Sequence, residues 1–111
     1  MKESRNYPRT PLAVLLEIWS GDRKKNVGKG FITNLSEGGL ALETTVRLKL
    51  KENFLLRFTL PNGWTFDLWG NILHTKPGVL IKTYGVQFKK VQAEERAKIR
   101  HFVLASLNMN K

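Results

Sequence analysis

Arg5 and Arg9 stand four apart near the start of the chain, in Arg5-Asn6-Tyr7-Pro8-Arg9, and a second polar run, Asn34-Leu35-Ser36-Glu37-Gly38-Gly39, comes later. Both are suited to anions. A guanidinium offers a planar fork of donors that meets a phosphate with two hydrogen bonds, and short Asn and Ser side chains on a glycine-opened backbone add donors at close range. Two forks suit two phosphates.

The arginine spacing carries little by itself, because Arg96 and Arg100 repeat it on a predicted helix, where it reads most simply as a solvated i, i+4 face. The Asn34, Ser36, Gly39 element is more specific. Serine occurs only as Ser4, Ser20, Ser36 and Ser106, and the element falls in a predicted turn. Its plainest alternative is an ordinary hairpin turn. Other chemistries lack their residues: His74 and His101 have no Asp-His-Ser or paired-carboxylate pattern beside them, and isolated histidines without cysteine give no metal-ligand spacing. No catalytic residue and no metal site is assigned.

The elements that must position these residues can be read from apolar patterning and turn signals. Residues 1–11 are polar, carry Pro8 and Pro11 and show no apolar period, so they read as a mobile arm. Strands are expected over Leu12–Trp19, Val27–Leu35 and Gly39–Thr44, the last two separated by the Ser-Glu-Gly-Gly break. Residues 46–53 read as a short exposed strand or an irregular link. Phe54–Leu60 is the next strand, Pro61-Asn62-Gly63 a hairpin turn, and Trp64–Thr75 a strand with a bulge or bend expected at Gly70. Val79–Phe88, with Gly85 inside it, is the last strand. Ala93–Leu107 is the one helix, with Ile99, Phe102, Val103 and Leu107 at helical spacing and Glu94 and Glu95 in its first turn. Six or seven short strands and a terminal helix point to a small closed or nearly closed antiparallel barrel.

Composition bounds the function. The 111 residues make one domain, divided as arm 1–11, barrel 12–91 and helix 92–108, and 41% hydrophobic with 25% charged residues suits a self-supporting globular fold. Nineteen Lys and Arg against nine Asp and Glu leave +10, a field that gathers anions of any kind. The absence of cysteine excludes disulfides and thiol chemistry, and no apolar run approaches the roughly 20 residues that span a bilayer. A cytoplasmic setting is the expectation.

The residues singled out above also carry a resemblance: the whole chain resembles a PilZ domain, a bacterial receptor module for cyclic di-GMP. In that family an Arg-x-x-x-Arg arm precedes the first strand, and an Asp/Asn-x-Ser-x-x-Gly element joins the second and third strands of a six-stranded barrel. Arg5, Arg9, Asn34, Ser36 and Gly39 fill those positions here. Leu68-Trp69-Gly70-Asn71-Ile72, Tyr84-Gly85-Val86-Gln87-Phe88 and the terminal helix are similar to the family's later pattern. Two departures stand out. The turn begins with Asn34 where many members have Asp, and Ser4 precedes Arg5 where some carry another basic residue, so one ligand or a stacked pair is left open.

The resemblance implies a mostly β, six-stranded PilZ-type barrel with a C-terminal α-helix. It also implies a non-enzymatic function: binding cyclic di-GMP through those five residues, without a cofactor, and signalling to an unidentified downstream protein in motility, biofilm or exopolysaccharide control. Two alternatives stand beside it. One is a small basic barrel for single-stranded nucleic acid, using Arg23, Lys24 and Lys25 with Trp19, Trp64 and Trp69; tryptophans that fill or rim the core argue against it. The other is a degenerate PilZ adaptor that binds no nucleotide.

Overall fold

The computed structural model describes residues 7–109. Six strands, β1 (Thr10–Trp19), β2 (Asn26–Ser36), β3 (Gly39–Thr44), β4 (Asn53–Thr59), β5 (Thr65–Lys76) and β6 (Lys82–Lys89), precede one helix, α1 (Ala93–Met109). The strands close into an antiparallel barrel in the order β1-β2-β3-β6-β5-β4, so the sheet has no free edge.

Alternation builds the barrel. On β5, Phe66, Leu68 and Ile72 turn inward and are buried, while Thr65, Asp67 and Trp69 turn outward, the two-residue period of a sheet with one dry face. Phe54, Leu56 and Phe58 of β4 face them in register, and Leu16, Ile18, Ile32, Leu35 and Leu42 complete the interior. Ile99 and Val103 of α1 are buried in the same core, with Phe102 and Leu107 packed against it. The helix therefore rests on β1 and β2. Its start is capped by the Glu95 carboxylate, which accepts from Gln92 N at 3.3 Å.

Several details differ from the sequence reading. β1 begins at Thr10, inside the expected arm, because Thr10 and Pro11 already pair with Leu35 and Asn34. The last strand begins at Lys82 rather than Val79. Its ladder with β3 ends at the pair Thr44 and Lys82, and with β5 at Lys76 and Thr83, so Val79–Ile81 has no neighbour to pair with and lies exposed. The stretch after β3 is an irregular link: the Tyr84 hydroxyl accepts from Leu48 N at 3.0 Å and donates to Val46 O at 3.3 Å, holding its first half by a side chain, while Lys51 N donates to Ile72 O and Ile72 N to Glu52 O at its end.

Gly70 is not a bulge. It pairs regularly with Phe54 and Phe88, and glycine is needed because a Cβ there would lie 2.5 Å from Val86 Cγ1 inside the barrel. The β5 irregularity falls instead between Ile72 and His74. Among the described residues no helix is long and apolar enough to cross a membrane.

Candidate functional site

A cleft of about 340 Å³ opens on the outer face of β2, β3 and β6 and reaches the end of β5. Its floor follows from register. Asn34 pairs with Ala41, Ala41 with Gly85, and Gly85 with His74, so one row crosses four strands with two of the smallest side chains in its middle. Asn34 rises at one side, and from the other the His74 side chain reaches over Gly85, leaving Ala41 as the low point between them. Each flank carries a ladder shift, between Ile32 and Asn34 on β2 and between Ile72 and His74 on β5, and such shifts re-aim side chains beside sites.

Of the five residues expected to bind ligand, Arg9, Asn34, Ser36 and Gly39 all line this cleft. Arg5 lies outside the described residues. Arg9 is exposed just before β1, and Asn34 is half-buried near the end of β2. Ser36 is almost fully buried and spends its hydroxyl on the turn, accepting from Gly38 N at 3.2 Å and donating to Gly39 O at 3.4 Å. Its first duty is thus to shape the β2–β3 hairpin. Gly39 has no left-handed backbone; it is required by packing, because a Cβ there would come within 2.0 Å of Val86 O on β6. A side chain would push β3 away from β6.

The turn is anchored from outside the sheet. Glu37, buried at the tip, sits 3.7 Å from Arg96 and 3.6 Å from Arg100 of α1. Arg96 also donates to the Tyr7 hydroxyl at 3.2 Å and lies over its ring, while that ring packs against Gly38. The Arg96/Arg100 pair is therefore more than the solvated face that its spacing suggested: about half exposed, it also holds the buried Glu37. It ties helix, turn and arm together beside the cleft.

Electrostatically the described lining is one-sided, with Arg9 and Lys76 as cations, His74 between strands, and no carboxylate. Such a wall accepts anions. The low floor at Ala41, between Asn34 and the His74 imidazole, also leaves room for a planar, hydrogen-bonding group. Sequence reasoning passed over His74 and Lys76; the signal that finds His74 is pairwise, since a Cβ at Gly85 would fall 2.2 Å from its Nε2, so the imidazole lies directly on that glycine. Among the described residues no group of three His, Cys, Asp or Glu could hold a metal ion.

Comparison with solved structures places this fold among known ones. The Bacillus subtilis inhibitor of motility (MotI/DgrA) superposes with a TM-score of 0.81 at 16% identity, over 96% of this chain and 52% of that one. The PilZ domain of YcgR with c-di-GMP, from Escherichia coli, gives 0.77 at 12% identity over 97% and 95%. The complex of K. pneumonia MrkH with c-di-GMP gives 0.76 at 18% identity over 96% and 53%. The chain thus spans about half the length of MotI and MrkH, and at these identities the likeness is one of fold. No curated protein sequence matches significantly. The family model described as PilZ domain matches residues 3–105, nearly the whole length, and with the closed six-stranded barrel and terminal helix it assigns the chain to the PilZ domain family.

Proposed function

We propose that the chain is a cyclic di-GMP receptor, with Arg5, Arg9, Asn34, Ser36 and Gly39 forming the ligand site in the cleft on β2, β3 and β6. The observation that carries it is the convergence of Arg9, Asn34, Ser36 and Gly39 on one cationic cleft within a PilZ domain. The ligand is a ring with two phosphates and two guanines. Arg5 and Arg9 meet phosphate or the guanine O6/N7 edge bidentately and stack on purine faces, which lysine does not reproduce. Asn34 both donates to and accepts from a guanine edge, and the small Ala41 beside it leaves room for a flat ring next to the His74 imidazole that covers Gly85.

Arg5 and Arg9 hold a nucleotide resting on the Asn34–Gly39 element, and Pro8, between them, restricts the backbone that presents them. No catalytic step and no cofactor is needed. The output is a changed surface read by another protein in the cytoplasm; one protein of similar fold, the inhibitor of motility MotI, is named for control of motility.

Calorimetric titration with cyclic di-GMP, with GMP as control, tests this. Saturable binding is expected in wild type, with Arg9→Ala weakening it about thirtyfold, the equivalent of about 2 kcal/mol for a charged contact. An Arg9→Ala protein that binds like wild type removes the arm from the site. No heat with the dinucleotide replaces the receptor by a nucleotide-free adaptor.

A further inference from the structure

On the side of the barrel away from the cleft, the outer face of β1, β4 and β5 carries a second constellation. Trp19 pairs with Leu55 and Leu55 with Trp69, and cross-strand partners point the same way, so the three form one apolar row outside the barrel. Leu55 is 2% exposed yet lies outside the core cluster, while both indoles remain half-exposed. Two guanidiniums lie over them, Arg23 at 5.3 Å from the Trp69 ring centroid and Arg57 at 5.5 Å from that of Trp19.

The loop that presents Arg23 is tightly built. Ser20 N donates to Lys25 O, Arg23 N to Ser20 O, and Asp22 accepts from both Ser20 Oγ and Lys24 N. Arg23 holds a left-handed backbone, φ 67°, where glycine would be less strained, so the chain keeps a guanidinium over Trp69 at a conformational cost. Charges nearby are unbalanced. Glu17 is bound to the Trp19 indole and Asp67 to Arg57, whereas Arg23, Lys24, Lys25 and Lys89, the cross-strand partner of Trp69, form no ion pair with a described residue.

We infer that this face is a docking site for an acidic protein segment that carries interspersed apolar residues. Charge complementarity selects the acid: the Arg57 fork is already taken by Asp67, whereas Arg23, Lys24, Lys25 and Lys89 form no ion pair with a described residue, and the Arg23 guanidinium can meet a carboxylate with paired donors. The parts of the Trp19 and Trp69 indoles left uncovered beside the arginines, above an almost fully buried Leu55, supply the apolar contact. Single-stranded nucleic acid fits less well, since base stacking needs an open aromatic face and each of these indoles is already covered by an arginine. The face does not depend on the cleft, so its test stands whether or not cyclic di-GMP binds.

The test is an NMR titration of the whole ¹⁵N-labelled chain with a peptide of repeated Glu-Glu-Leu units. The indole N–H signals of Trp19 and Trp69 and the amides of Arg23 to Lys25 are expected to move saturably. Trp64, which stands beside His101 and Lys98 of α1, is expected to stay still. Arg23→Gly, which relieves the left-handed strain and keeps the fold, is expected to weaken binding about fivefold or more, while Arg47→Ala, removing the same charge elsewhere, changes it less than about twofold. Equal losses from both variants, movement of Trp64 with the others, or equal or tighter binding of an oligothymidylate at the same residues would each overturn the assignment.

Discussion

Glu37 Oε2 lies 3.7 Å from Nη1 of Arg96, an ion pair that joins the tip of the β2–β3 turn to α1. Arg100 reaches the same oxygen, and Arg96 continues to the Tyr7 hydroxyl, so the segment carrying Arg9, the hairpin carrying Ser36 and Gly39, and the helix share one polar junction. The carboxylate is mostly buried, whereas the two guanidiniums are about half exposed. Solvent therefore screens the attraction, and its worth is modest.

Glu37→Gln is expected to lower stability by about 1 kcal/mol, roughly 5 °C in Tm for a domain of this size, by removing the charge shared by two arginines. Thermal unfolding at low and high salt checks this. The wild-type advantage should shrink as salt rises, and an unchanged gap would show that the contact acts through shape rather than charge.

Gly39 and Asn34 line the same cleft but should fail in different ways. Gly39→Ala places a methyl against Val86 O and is expected to cost at least about 2 kcal/mol of stability, visible as a large fall in Tm before any ligand is added. Asn34→Ala removes a half-exposed side chain that forms no hydrogen bond to another described residue. Its Tm should stay within a few degrees, while cyclic di-GMP affinity falls about tenfold. Parallel melting and titration of both variants separate scaffold from site.

Tyr84→Phe is expected to cost about 1–3 kcal/mol, since Leu48 N and Val46 O lose the hydroxyl that satisfies them in the link between β3 and β4. Hydrogen exchange should show the Leu48 amide losing its protection ahead of the barrel strands. Protection equal to wild type would mean the link is held by packing alone.

Asp22 titrates below the usual aspartate range, first because its carboxylate accepts from Ser20 Oγ and next because it accepts from Lys24 N. A depressed folded value means the loop's order is fully present above the unfolded pKa, near 3.9, and is lost as pH falls through the lower folded one. The Lys24 amide shift should therefore be constant at neutral pH and move only below about pH 4. Asp22→Asn should remove that step. A transition near pH 6 would point to a different group.

The barrel strands, the single helix and the polar hairpin were legible in the sequence because alternation, glycine-bearing turns and a helical apolar period are local signals that survive without a tertiary frame. The expectation that Arg9, Asn34, Ser36 and Gly39 belong together rested on a family pattern, and the barrel is what brings them onto one cleft. What the chain alone could not show depends on register. Gly70 reads as a bend from its type, yet it sits in regular pairing and serves packing, because the demand comes from Val86 on another strand. His74 and Gly85 are eleven residues apart and become neighbours only when β5 slips by one residue against β6. Glu37 and the arginines of α1 meet only when the helix closes the barrel. The Trp19–Leu55–Trp69 row likewise needs three strands set side by side. Local sequence determined the elements and their order. Tertiary structure decided the partners, because cross-strand and helix-to-turn contacts join residues far apart in the chain, and no local period encodes that distance.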